Sequence, residues 1–259
     1  MNERELVANL ARHSPKIGDD CAVIPNGRTD LLVTTDQYIE DVHFRRSTHT
    51  ARLIGWNAIA RGLSDIAAMG GDPNFVFVSV ALPAWANARF ADGFFAGVRE
   101  HGVELAGGDL SHADKLYCDV TALGSVPRGK AVLRRGARPG DFLYVSGPLG
   151  KPKRRIVPRL DLAKLIRRSA SACMDLSDGL SLDLARLCEA SNCGAELAGI
   201  PVARGATLEQ ALHGGEDYEL LFTSSRRLDF PAIGSVVAKR GVRLHGRPLA
   251  ARGYDHFSK

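Results

Sequence analysis

The 259-residue chain is 45% hydrophobic and 24% charged, which excludes a disordered or fibrous protein and leaves room for one large domain or two modest ones. No apolar run reaches the ~18 residues that cross a bilayer, and residues 1–16 mix charges of both signs without an apolar centre, so neither a membrane span nor a signal peptide is expected and the protein is placed in the cytoplasm. The net charge of +5 is concentrated in residues 151–168, a basic run with no aromatic residue, so a nucleic-acid partner is not expected and the segment reads as solvated and mobile.

In chain order, short β-type runs lie at 31–35, 75–82 and 116–126, the last with clear two-residue alternation. Further runs follow at 142–146, 219–223 and 234–238. Between them, Leu53, Trp56, Ala60, Leu63 and Ala67 recur at helical spacing over 53–69, with Gly70-Gly71 as the stop. A second helix is expected over 86–100 and a third from about Ser177, carrying Leu180, Leu184 and Leu187. Strands and helices mix without a βαβ rhythm, so the fold class is α+β. The turn-rich stretch 134–141 reads as a linker, dividing the chain into residues 1–137 and 138–259. Cys21, Cys118, Cys173, Cys188 and Cys193 form no C-x-x-C pair and fit reduced thiols, with Cys118, Cys173 and Cys188 as core filler.

The acids carry the chemistry. Asp19-Asp20 follow Ile17-Gly18, Asp36 ends a strand with Thr34 and Thr35, and Asp65 lies inside an apolar helix. Asp109 follows Gly107-Gly108, and Asp175 and Asp178 flank Ser177. Carboxylates set among small and apolar residues are paired or bind metal, because burial penalises the bare charge. Convergent carboxylates raise one another's pKa, and a hard divalent cation with oxygen ligands removes that conflict. Several Mg2+ ions around a triphosphate would use about this many acids. Each acid also has a local reading. Asp178 could cap the following helix, Gly107-Gly108-Asp109 could form a hairpin turn, and Asp65 could pair with Arg61 one turn earlier. The glycines let backbone amides approach an anion, and no G-x-x-x-x-G-K-[ST] loop is present, so ATP would be held on another scaffold.

The ordered set I-G-D-D-C-A at 17–22, T-T-D at 34–36, H-F at 43–44 and L-S-D-I-A-A-M-G-G-D-P at 63–73 resembles the thiamine-monophosphate kinases. So do G-G-D at 107–109, R-R-G-A-R-P-G-D at 134–141, M-D-L-S-D-G-L at 174–180, G-G-E-D-Y-E-L at 214–220 and G-Y-D-H-F at 253–257. Single motifs are shared with the wider aminoimidazole ribonucleotide synthetase-like superfamily. The resemblance implies a two-domain α+β fold whose N-terminal sheet pairs with a second subunit in a homodimer with a barrel-like interface. It implies transfer of the ATP γ-phosphoryl to thiamine phosphate, with several Mg2+ ions as cofactors. Carried over by position, Asp20, Thr34, Thr35, Asp36, Asp65, Asp109, Asp175 and Asp178 match metal positions. Gly108, Asp109, Arg134 and Ser177 match ATP contacts, and His43, Glu216 and Tyr254 match positions around the acceptor. Asp36, Asp109 and Asp178 are the expected catalytic acids. The chain departs from the family after Gly150, where it passes directly into Lys151-Pro152-Lys153-Arg154-Arg155. A helix of the second domain is expected to be missing there, with apolar surface exposed and the nucleotide pocket loosened. A relative that binds metal or nucleotide without turnover is the alternative.

Overall fold

The computed structural model describes residues 3–257. Helix α1 (Glu3–Ala11) leads into strands β1 (Ala22–Asn26) and β2 (Thr29–Ile39), helix α2 (Ala51–Ala68), strand β3 (Asp72–Leu82), helix α3 (Ala88–Arg99) and strands β4 (Glu104–His112) and β5 (Tyr117–Pro127). These strands form one five-stranded sheet in the order β1-β2-β5-β3-β4, antiparallel except for the β3–β4 pair. The remaining elements are β6 (Phe142–Val145), α4 (Ala163–Ser169), β7 (Ala172–Asp175), α5 (Leu180–Ala190), β8 (Gly194–Leu197), α6 (Leu208–His213), β9 (Leu220–Ser224), β10 (Ala232–Val237), β11 (Gly241–Leu244) and β12 (Arg247–Pro248). Their strands make a seven-stranded sheet in the order β12-β11-β8-β10-β6-β9-β7. The architecture is mixed α+β with two sheets, as the sequence suggests. The expected strand at 219–223 starts one residue later, and all three expected helices form within a few residues of their expected ends.

Helix α2 organises the molecule. Thr50 caps it by accepting from Leu53 N, and twelve of its eighteen residues are buried. It packs on β2, β5 and α3 and also on β7 and α4, so it belongs to both halves. Ile54, Ile59, Leu63, Ile66 and Met69 fill the first core with Leu32, Val78, Val120 and Phe94. The α2–α3 crossing is close because of glycine. A Cβ on Gly55 would lie 2.0 Å from the Phe94 carbonyl oxygen, and one on Gly97 would lie 1.9 Å from that of Arg52. The second core gathers Leu143, Leu176, Leu180, Leu184, Leu187, Leu197, Leu221 and Val236. All five cysteines are buried and unbridged, and Cys118, Cys173 and Cys188 pack in the hydrophobic cores as expected.

The basic segment corrects one expectation. It is not a solvated run but a strap across the two halves. Asn57 donates to Arg154 O at 2.9 Å and accepts from Ile156 N at 3.0 Å. Trp56 Nε1 donates to Ile156 O, and the Arg155 guanidinium lies 3.7 Å from the Trp56 ring centroid. Ile156 is buried with Ala60 and Tyr218. Lys153 and Arg159 both pair with buried Glu219, and Arg167 pairs with Asp72 at 2.9 Å. The strap packs on Trp56, Asn57 and Ala60 of α2, while Val157, Val202 and Leu208 in the second half remain exposed. Replacing Asn57 with Ala strands a buried N–H of Ile156 and the carbonyl of Arg154. A loss of about 1–3 kcal/mol is expected in denaturant titration. A loss below about 0.5 kcal/mol would mean that the strap is not held through Asn57.

Candidate active site: an acidic cleft between the sheets

Alternation along β2 sets the first part of the site. Thr34 and Asp36 face α2, while Thr35 faces the other side and donates to Asp119 at 2.9 Å. Thr34 Oγ1 donates to Asp65 Oδ2 at 2.5 Å, so the acid inside α2 is met by a strand hydroxyl and not by Arg61. Asp175, at the end of β7, accepts from Ser64 Oγ at 2.7 Å. Asp20, just ahead of β1, accepts from the Arg134 guanidinium through Oδ1. Its other oxygen, Oδ2, is buried and has no hydrogen-bond partner. One carboxylate oxygen from each of Asp20, Asp65 and Asp175 lies within 4.8 Å of the other two. Three segments far apart in sequence thus deliver carboxylates to one point.

Burial, and then the other carboxylates, push Asp65 and Asp175 well above the usual carboxylate range. Asp36 and Asp20 are also raised, chiefly by burial, against the opposing effect of Arg61 and Arg134 respectively. A chain that keeps four acids in this state holds them poised for a cation. The donor set is hard oxygen throughout, and the orphaned Asp20 Oδ2 supplies a free acceptor. These features fit Mg2+ and not a soft, thiolate-bound metal. Cys21 adjoins the cluster, but its thiol is pushed well up by burial and by the neighbouring acids.

The cluster opens into a cavity of about 380 Å³. Asp36, Asp65, Asp175, Ser177 and Asp178 line it, together with Arg61, His43, Glu216, Tyr218, Tyr254 and His256. Asp178 does not cap α5. It pairs with Arg186, while Asp183 Oδ2 accepts from the backbone N–H groups of Asp178 and Gly179 at 3.1 Å each. Gly215 is required where its loop crosses the Ser177 carbonyl, since a Cβ there would come within 2.6 Å of that oxygen. Glu216 and Tyr218 in the same loop have positive φ values of 65° and 47°. Such strain persists where surrounding contacts over-determine the backbone, and here it turns both side chains to the cleft. Tyr254 is brought in by the C-terminal segment, whose Tyr254 N donates to Asp178 O at 3.0 Å. His43 accepts from Ile39 N through Nδ1 at 3.0 Å, so its proton sits on Nε2. Burial, with Arg61 and His256 nearby, lowers its pKa to about 3, and the ring stays neutral.

Not every expected residue enters the cleft. Gly107-Gly108-Asp109 is no hairpin turn. It lies in β4, parallel to β3, with Asp109 opposite Ser79 and exposed. Asp109, Gly108 and Thr35 therefore do not line the cavity of the single chain. Arg134 meets the site indirectly, because its guanidinium is committed to Asp20. Arg61 and Tyr218 line the cleft and Ser64 donates to Asp175, and none of the three was named as a site residue from the sequence. The signal for Arg61 was its position one turn before Asp65, where it read as a salt-bridge partner.

Comparison with known proteins places this geometry in a family. Residues 18–126 match the family described as AIR synthase related protein, N-terminal domain. The thiamine-monophosphate kinase of Aquifex aeolicus is 33% identical over 94% of both chains, in an alignment of 289 positions that requires gaps in this shorter chain. That of Escherichia coli K12 is 35% identical over 93% of this chain and 91% of its own. A solved structure described as AaThiL complexed with AMPPCP and TMP superimposes with a TM-score of 0.92 at 32% identity, covering 99% of this chain and 97% of the other. At 33% identity over 94% of both chains and with a common fold over nearly the whole length, this chain belongs to the thiamine-monophosphate kinase family.

Proposed function

We propose that the protein transfers the γ-phosphoryl of ATP to the phosphate of thiamine phosphate, giving thiamine diphosphate and ADP. The observation that carries this is the meeting of Asp20, Asp65 and Asp175 at one point, beside Asp36 and at the head of a cavity large enough for an acceptor. Family likeness to enzymes of that name, and to a structure whose description includes an ATP analogue and TMP, supports it. An oxygen of the acceptor phosphate forms the new bond to the γ-phosphorus as the bond to the ADP oxygen breaks. The acceptor is already ionised near neutral pH, so no strong base is needed, in keeping with a cleft that offers acids and a neutral histidine.

Asp20, Asp36, Asp65 and Asp175, with Asp178 at the cavity edge and Thr34 orienting Asp65, would hold Mg2+. When bound, Mg2+ supplies charge neutralisation between two phosphate groups that repel each other. The protein's own part is positioning. Ser177 and the Gly215–Glu216 backbone wall the cleft, His43 presents an Nε2–H, and Tyr254 closes one side. Asp109, Gly108 and Thr35 act only in a homodimer on this reading. They lie on or beside the sheet face away from α2, which also exposes Phe75, Phe77 and Tyr117, and a second copy would cover it. We place the domain boundary near residue 137, between β5 and β6, and the protein in the cytoplasm. No helix among the described residues is long and apolar enough to cross a membrane.

The functional test is formation of thiamine diphosphate and ADP by the purified chain from thiamine phosphate, ATP and Mg2+. Absence of both products despite measurable ATP binding would support the non-catalytic relative. A second expectation concerns pH. In the unfolded chain these acids ionise near pH ~4, whereas burial raises them in the native state. The metal-free native protein then binds more protons than the unfolded one, so its stability falls as pH rises above that value through the raised ones. Mg2+ should reverse this, raising Tm more at pH 8 than at pH 6. A metal-free protein that loses stability on going from pH 8 to pH 6, or a Tm indifferent to Mg2+, would contradict the arrangement.

A further inference from the structure

Among the described residues, three buried side-chain polar atoms lack any hydrogen-bond partner: Asp20 Oδ2, His43 Nε2 and Arg61 Nε. All three belong to the cleft or its acid cluster, and they divide by chemistry. The acceptor lies with the acids and calls for a cation. The two donors line the cavity together, and they call for an anion. Arg61 is the more telling of the two. Its guanidinium has no hydrogen bond and no ion pair among the described residues, although Asp36 and Glu216 are close enough to favour its charge. It sits between two rings, with Cζ 5.7 Å from the centroid of Tyr38 and 5.6 Å from that of Tyr218. Such stacking orients the planar fork but leaves its N–H donors free. A buried Nε–H left without a partner is costly in the free protein and is relieved by an anionic oxygen.

We propose that Arg61, seconded by His43 Nε2–H, is the anion anchor of the acceptor subsite and takes the dianionic head of a phosphomonoester. That the ester is thiamine phosphate rests on the function proposed above. The anchor is assigned to the acceptor and not to the nucleotide because of what lies beyond it. His43, Glu216 and Pro152 also line a second cavity of about 460 Å³, walled by Tyr38, Asn57 and Arg154, which continues the first away from the acids. A phosphomonoester held at Arg61 has its phosphate turned to the acid cluster and its organic end in that extension. The strap supplies part of the wall, so the shortened stretch after Gly150 shapes the acceptor side of the cleft. Arginine suits the task better than lysine, since a planar fork binds two phosphate oxygens at once.

Arg61→Met and Arg61→Lys separate this from a packing role. Binding is measured by calorimetry without nucleotide, using thiamine phosphate, unphosphorylated thiamine and inorganic phosphate as probes. For Arg61→Met, thiamine phosphate and inorganic phosphate should each weaken by about 30-fold or more, with Arg61→Lys between it and wild type. Thiamine binding and the KM for ATP should stay within about twofold, and the Tm of the free Met variant should not fall below wild type. Equal weakening of thiamine and thiamine phosphate, a raised KM for ATP alone, or a lower Tm with unchanged phosphate binding would overturn the assignment. A wild-type chain that binds inorganic phosphate through Arg61 yet forms no thiamine diphosphate would sink the activity and leave the anion subsite standing.

Discussion

Replacing Asp65 with Asn should lower turnover by about 1000-fold or more while leaving the protein folded. The charge stabilisation given by metal ions at a transferring phosphoryl group is worth several kcal/mol, and about 1.4 kcal/mol corresponds to a factor of ten. Asp65 stands at the centre of the acids, accepts from Thr34, and feels Asp36, Asp175 and Asp20 together. Asn keeps an oxygen for Thr34 and removes the ionisable group. Without metal, the neutral amide relieves the repulsion that raises the neighbouring acids, so the metal-free variant should melt no lower than wild type at pH 8. Mg2+ should then add little to its Tm. Steady-state ADP release and parallel melts with and without Mg2+ check both halves. A variant that keeps more than about a tenth of wild-type turnover would remove Asp65 from the metal set.

Replacing Gly97 with Ala should be among the most damaging single methyl groups that the chain could gain. The added Cβ would lie 1.9 Å from the Arg52 carbonyl oxygen and 2.8 Å from Trp56 N. Both contacts are to helix backbone, which has no rotamer to yield, so α3 must lift from α2. That opens the core around Phe94 and Val98, both fully or almost fully buried. A loss of about 3 kcal/mol is expected, equivalent to roughly 6–12 °C in Tm for a chain of this size. Because α2 also carries Arg61, Ser64 and Asp65, activity should fall along with stability. A Tm within about 2 °C of wild type would show that α3 is free to shift and does not brace the site.

The long elements were legible because their patterns are local. The stripe Leu53, Trp56, Ala60, Leu63, Ala67 is an amphipathic signal that tertiary contacts only reinforce, and the alternation of 116–126 becomes β5. The elements absent from the sequence reading are mostly short. β7 and β8 have four residues each and are buried on nearly every side, so no alternation marks them. β4 was obscured by Gly107-Gly108, which also reads as a turn. The acids of the site could be named from their motifs, but their meeting could not, because it depends on two sheets and a helix packing together. Thr34 and Thr35 show the limit at one residue. Both match the family motif, yet strand periodicity sends one to the acids and the other to the outer face. The strap was misread for a different reason. Eight positive charges in eighteen residues look solvated until Glu219, Glu100 and Asp72 arrive from elsewhere in the chain. Arg61 looked like a partner for Asp65 because helical spacing allows it, and only the fold shows the guanidinium stacked between two tyrosines instead.

Counting bound Mn2+ by electron paramagnetic resonance, as a stand-in for Mg2+ and with a non-hydrolysable ATP analogue present, tests the acid cluster most directly. More than one tightly held ion per chain is expected for the wild type, with the tight class lost in the Asp65→Asn/Asp175→Asn double variant. Equal numbers and affinities in the two proteins would mean that the carboxylates gathered from the turn before β1, from α2 and from β7 do not hold the metal.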